Sequence, residues 1–267
     1  MQADLVKAVL RSAKRITVVV LVIVALLYVA ACVLLFFNQR SLLYFPTPES
    51  RLSDEPSITV ESGGESLRVL KEQNDGPDAV IYFGGNAEDV STSLFRFSTV
   101  LPNQSLYFVN YRGYSGSTGT PTEAALFADA LAVYDNIRDK HRKISVIGRS
   151  LGSGVAVYLA ASRKIDKLVL VTPYDSIENV AKQSFPIFPI SLILQDRFDS
   201  AQRIPNVDAR SLVILAENDQ VIPRANSDAL IARFPSNQVT VKVIDRTDHN
   251  SIGLSQLYFD EVVWFLK

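Results

Sequence analysis

From residue 78 onward, short apolar runs alternate with stretches of helical periodicity, and that alternation admits few architectures. "DAVIYFGG", "SLYFVNYRG", "KISVIG", "KLVLVTP", "SLVILAEN" and "QVTVKVID" have the length and continuous apolarity of fully buried strands. Between and after them, "VSTSLFRFSTVL", "TPTEAALFADALAVYDNIRDK", "SLGSGVAVYLAAS", "SDALIARF" and "SQLYFDEVVWFL" read as helices. In the second of these, Thr120 or Thr122 offers a cap and Pro121 or Glu123 falls in the first turn. Upstream, "SITVES" and "SLRVLKE" alternate around "GGE" and read as an opening hairpin. Buried strands joined by helices predict an α/β fold: a mostly parallel central sheet with helices on both faces. Ligands of such sheets bind beyond the carboxyl ends of the strands, so chemistry is sought just after each strand. The chain has 267 residues, enough to bury a substantial core.

The N-terminus carries a different signal. Residues 16–37 contain no charge. As a helix they extend about 33 Å, enough to cross a hydrocarbon core of about 30 Å. Lys7, Arg11, Lys14 and Arg15 precede this run, and Glu49, Asp54 and Glu55 follow Arg40. The positive-inside rule then predicts a cytoplasmic N-terminus and an extracytoplasmic main domain, in the periplasm if the membrane is a bacterial inner membrane. Residues 1–40 are expected to form the cytoplasmic N-terminus and transmembrane anchor, and residues 41–267 the catalytic domain. Simple cleavage as a signal peptide is an alternative, as is lipidation at Cys32 within "VAAC", but "VLLFF" follows that cysteine where a lipoprotein turns polar. The stretch "SLLYFPTPES" is expected at the membrane surface. A formal charge of -1 gives no electrostatic case for nucleic acid. With Cys32 the sole cysteine, and His141 and His249 the sole histidines, the sequence lacks the ligands for a zinc site of that chemistry. No cofactor is expected.

Gly148-Arg149-Ser150-Leu151-Gly152 matches G-x-S-x-G between a predicted strand and a predicted helix. A sharp turn there exposes the serine hydroxyl, small flanking residues let strand and helix pass closely, and the N–H of Leu151 faces the reacting oxygen. A nucleophilic serine needs a base and an acid that orients it. His249 follows a strand and stands at the correct sheet edge; His141 lies at the opposite edge and reads as a solvated surface residue. Asp219 follows a strand between serine and histidine and is the preferred acid, with Glu217 and Asp175 as rivals and Asp248 as a loop residue. A second oxyanion donor is expected at Asn86 in "YFGGNAED". "YRGYSGSTG" reads as a turn-rich loop without phosphate chemistry. Residues 179–200 are apolar, proline-broken and placed between two strands, which predicts a small cap, with Phe185 and Phe188 as candidate substrate contacts.

"QRSLLYFPTP", "NYRGYSGSTGTPTE", "VIGRSLGSGVAVYLA", "TPYDSIENVA", "DRFDS", "AENDQVIP" and "DHNSI" together resemble the membrane-anchored, single-domain α/β-hydrolases, which include depalmitoylating thioesterases and lysophospholipases. The resemblance covers nearly the whole chain after the anchor. It implies the α/β-hydrolase fold, with Ser150 as nucleophile, Asp219 as acid and His249 as base. The family loop after the third strand usually reads His-Gly-Asn, and here it is Gly84-Gly85-Asn86. The expectation is therefore an anchored serine esterase or thioesterase whose partners are the membrane and an acyl-bearing small molecule, lipid or acylated protein. A serine peptidase of the same fold and an inactive anchored binding module are the alternatives.

Overall fold

The computed structural model describes residues 1–48, 55–72, 74 and 76–267. Glu49 and Asp54 lie outside the described residues. A helix α1 (Gln2–Leu43) leads into the strands β1 (Ser57–Ser62), β2 (Glu65–Glu72), β3 (Asp78–Phe83), β4 (Gln104–Val109), β5 (Lys143–Arg149), β6 (Lys167–Val171), β7 (Arg210–Ala216) and β8 (Val239–Ile244). They form one sheet in the order β1-β2-β4-β3-β5-β6-β7-β8. β1 and β2 pair antiparallel, and β2 joins β4 antiparallel; β3 to β8 are parallel throughout.

Side chains along the inner strands alternate between two cores, which is why these strands read as unbroken apolar runs. Ile81 and Phe83 face one core with α3 (Glu123–Ile137) and α4 (Leu151–Ser162), while Val80 and Tyr82 face the other with α2 (Val90–Val100) and α9 (Gln256–Leu266). Of the two threonines offered as a cap for α3, Thr122 takes the role, its side chain accepting from the Ala125 N–H at 3.1 Å.

The chain passes from β3 to β4 on one side and returns to β5 on the other side of β3. The carboxyl ends of β3 and β5 therefore flank the crevice where such sheets hold ligands. Gly84-Gly85-Asn86 follows β3 and Ser150 follows β5, so both come to that crevice.

The long helix exceeds the uncharged run at both ends, and α1 from Val9 to Leu43 is apolar and long enough to cross a membrane. Within "SLLYFPTPES", Leu42 and Phe45 are exposed, while Tyr44 is 3% exposed and bonds Asp196 Oδ2 at 3.1 Å. Between β6 and β7 the chain forms α5 (Ile177–Ser184), α6 (Ile190–Ile193) and α7 (Ser200–Arg203), with α8 (Arg224–Ile231) following β7.

Candidate active site

Ser150 joins β5 to α4 with φ +49° and ψ −118°, a left-handed backbone that costs a serine free energy and persists only where the surroundings enforce it. The enforcement is visible. The Ser150 N–H donates to Val171 O at 2.9 Å, and the Ser150 carbonyl accepts from the Ser153 N–H at 2.8 Å and hydroxyl at 2.7 Å. A Cβ at Gly148 would lie 2.4 Å from Gly152 O, and one at Gly152 would lie 2.1 Å from Phe83 O, so the flanking positions must be glycine for α4 to seat against the sheet.

Ser150 Oγ lies 2.8 Å from His249 Nε2, and His249 Nδ1 lies 2.8 Å from Asp219 Oδ2. His249 is 7% exposed. The other carboxylate oxygen of Asp219 accepts from the N–H groups of Val221 at 2.9 Å and Ile222 at 2.8 Å, which fixes the oxygen that faces the ring. The rival acids are occupied elsewhere. Asp175 accepts from the side-chain amides of Asn179 and Asn226, Glu217 from the Arg246 N–H, and Asp248 from the N–H groups of Asn250 and Ser251. His141 is half-buried rather than freely solvated, because its Nε2 bonds Tyr107 Oη at 2.8 Å. Burial, with Lys71 and Lys140 nearby, holds its pKa below the ordinary histidine value.

The N–H groups of Leu151 and Asn86 have no acceptor among the described residues, so both are free to donate into the crevice. The Asn86 side chain is held at both ends: Nδ2 donates to Leu43 O at 2.7 Å, and Oδ1 accepts from Phe45 N–H and Tyr114 Oη at 2.9 Å each. Tyr111 Oη donates to Gly84 O at 2.7 Å. The loop read as merely turn-rich thus braces residues 84–86. Burial pushes the Tyr114 hydroxyl up to about 12, so it remains a donor at neutral pH.

A side chain at position 84 would crowd Val90 and Glu88. A Cβ there would stand 2.6 Å from Val90 Cγ1 and 3.3 Å from Glu88 Oε2. Glu88 fills the space. Its Oε2 accepts from the Gly85 N–H at 2.6 Å, and its Oε1 accepts from Tyr82 Oη at 2.7 Å and Ser93 Oγ at 2.6 Å. Arg149 Nη1 lies 3.3 Å from Glu88 Oε2, while Arg149 Nη2 donates to the carbonyls of His249 and Asn250 at 3.2 Å each. Glu88, Tyr111, Tyr114 and Arg149 were missed by sequence reasoning; Arg149 stands at an unrestricted motif position, and the others act across loops that only the fold brings together.

Two clefts meet at Ser150. A cavity of about 340 Å³ is walled by α5 and α6 residues such as Ile177, Val180 and Ile193, by Ile222, and by Leu35, Gln39, Leu42 and Leu43 of α1. Phe185 lines it. Phe188 does not; its ring stacks on Tyr28 of α1 with centroids 6.0 Å apart, so the anchor helix and not the cavity covers it. A smaller cleft of about 190 Å³ lies on the other side, lined by residues 85–88, Arg149, Ser150, His249 and Asn250.

No protein-family model matches the chain. An uncharacterised protein of Mycobacterium tuberculosis is 31% identical over 249 residues, which cover 86% of this chain and 88% of that protein. The alpha/beta hydrolase domain-containing protein aho-3 of Caenorhabditis elegans is 28% identical over 193 residues, covering 70% of this chain and 57% of that protein. Among solved structures, the esterase Pf2001 of Pyrococcus furiosus superposes with a TM-score of 0.66 at 16% identity, covering 83% of this chain and 98% of that one.

Proposed function

The chain belongs to the α/β-hydrolase family, and from that premise we propose that it is a membrane-anchored serine hydrolase of acyl esters or thioesters. The observation that carries the reading is the unbroken relay of 2.8 Å contacts from Ser150 Oγ through His249 to Asp219, at the point where an apolar cavity meets a polar cleft.

On this reading Ser150 Oγ attacks the acyl carbonyl carbon while His249 Nε2 takes the hydroxyl proton. The Leu151 and Asn86 N–H groups hold the developing oxyanion. Asp219 keeps the Nδ1–H tautomer and stabilises the imidazolium. The tetrahedral intermediate collapses as His249 protonates the departing oxygen or sulfur, leaving an acyl-serine. Water, activated by the same imidazole, then attacks the acyl-serine and restores the enzyme. The acyl portion occupies the apolar cavity and the leaving group the smaller cleft.

The helix α1 is read as a retained anchor, with the N-terminus cytoplasmic and the domain of residues 41–267 outside, on the strength of the basic residues before the span. Contacts between α1 and residues 185–196 further support retention.

Labelling of membranes with a fluorophosphonate probe tests the nucleophile. Wild type should label, Ser150→Ala should not, and His249→Ala should label much more slowly. A folded wild-type protein that resists the probe sinks the serine mechanism. Glu88→Gln gives a second test. One amide cannot accept from the Gly85 N–H and pair with Arg149 as the carboxylate does, so the donor at Asn86 shifts. kcat should fall about 10- to 100-fold with KM nearly unchanged. A change in KM alone would place Glu88 outside oxyanion positioning.

A further inference from the structure

The anchor is part of the cavity. Leu35, Gln39, Leu42 and Leu43 form one of its walls. The most covered positions of the C-terminal half of α1, Ala31, Cys32, Leu35, Gln39 and Leu43, recur at helical spacing along one face. The segment 185–196 is fastened along that same face. Tyr28 Oη donates to Ile187 O at 2.8 Å. Gln39 is occupied at both ends of its amide, donating to Ile193 O at 3.0 Å and accepting from the Gln195 N–H at 2.7 Å. Arg40 pairs with Asp196 at 3.1 Å. These attachments spread over about 18 Å of helix axis from Tyr28 to Arg40.

Arg40 is the first charge after the uncharged run, so it marks the membrane boundary on this side. Tyr28, about three turns before it, lies well inside a hydrocarbon core of about 30 Å. Whatever docks on Tyr28 enters the bilayer with it. Ile187 and the Phe188 ring meet Tyr28, and the segment they belong to is apolar and uncovered: Ile187 is 71% exposed, Leu192 84% and Phe185 47%. In water such a cluster is unfavourable, whereas against lipid it needs no cover. Leu35 also belongs to the uncharged run, so one end of the cavity lies at hydrocarbon level while the other ends at Ser150.

Building on the serine-hydrolase reading above, we propose that this cavity is an acyl-chain channel fed laterally from the bilayer, with the anchor helix as its wall and a single-chain acyl lipid as its occupant. The tail enters between α1 and residues 185–194 and its ester carbonyl reaches Ser150. The volume of about 340 Å³ stands at the small end of the range for ligand pockets, about 300–1,000 Å³, which suits one chain rather than two. The head group falls in the second cleft, beside Arg149, Glu88 and Asn250.

The test uses full-length Ser150→Ala in phosphatidylcholine vesicles containing a lysophosphatidylcholine with a diazirine at the end of a sixteen-carbon chain. After illumination, mass spectrometry should find adducts on Leu35, Val180 and Phe185. Adding Leu35→Trp, which fills the wall, should reduce the adducts on Val180 and Phe185 at least tenfold; Leu34→Trp, on the lipid-facing side, should leave them unchanged. Adducts confined to outward residues such as Leu34 and Phe37 overturn the proposal, as do Val180 and Phe185 adducts that Leu35→Trp does not reduce. In the active enzyme, Leu35→Trp should lower the ratio of sixteen-carbon to four-carbon ester hydrolysis at least tenfold, and an unchanged ratio also overturns it. Failure of wild type to react with fluorophosphonate is a separate result: it removes the serine chemistry, while the adduct map still decides whether a chain occupies the cavity.

Discussion

Asp219→Asn lowers kcat by about 10⁴-fold while KM and the fold stay close to wild type. The size of the effect follows from how the carboxylate is held. One oxygen is fixed by the N–H groups of Val221 and Ile222, and the other faces His249 Nδ1. In the asparagine variant the carbonyl oxygen must remain on the two N–H groups, because an amide nitrogen cannot accept from them. The NH₂ group therefore turns toward His249 and demands an unprotonated Nδ1. The imidazole responds by carrying its proton on Nε2, facing Ser150, where it can no longer accept the hydroxyl proton. Turnover of a soluble nitrophenyl ester, with thermal unfolding as a control on folding, measures the effect. A loss below tenfold would remove Asp219 from the relay.

Gly152→Ala removes most of the stability of the domain. A methyl group at this position would lie 2.1 Å from Phe83 O and 2.6 Å from Gly84 O. Both obstacles are backbone atoms of the β3 edge, so no side chain can swing aside. Relief requires α4 to lift from the sheet, which opens both the core beneath it and the turn that carries Ser150. A cost of about 3–5 kcal/mol is expected, at the upper end for a single substitution. For a domain of this size that is a fall in Tm of about 10 °C or more. Gly154→Ala offers a contrast within the same helix, because its added methyl meets side-chain atoms of Tyr174 and Phe198. A Tm for Gly152→Ala within a few degrees of wild type would show that α4 has room to move.

The parallel sheet was legible because each inner strand feeds two cores and so carries no polar alternation, as in "KLVLV". The residues that meet at Ser150 were legible for a related reason: strand order brings the ends of β3, β5, β7 and β8 to one edge, and His249 is the one histidine beyond a strand end there. Three features were not legible. The helix α1 outruns its uncharged core because Lys, Arg and Gln are good helix formers; the charges mark where water begins, not where the helix stops. Phe188 was assigned to substrate because an apolar residue in a cap looks the same whether it faces a cavity or a neighbouring helix. Glu88 and Tyr114 support Asn86 through contacts between separate loops, and no local pattern announces such a partnership.

Arg149 fills the unrestricted second position of G-x-S-x-G, yet it binds the carbonyls of His249 and Asn250 on one side and Glu88 on the other. The loop that carries the base and the loop that carries an oxyanion donor are therefore joined through a single guanidinium. Energetic effects in the two loops will not add: a double-mutant cycle between Glu88 and Asp248, whose carboxylate holds the turn that presents those carbonyls, measures a coupling that passes through Arg149 and vanishes once Arg149 is removed. Any attempt to redesign one loop for a new leaving group must treat the other as part of the same mechanical unit.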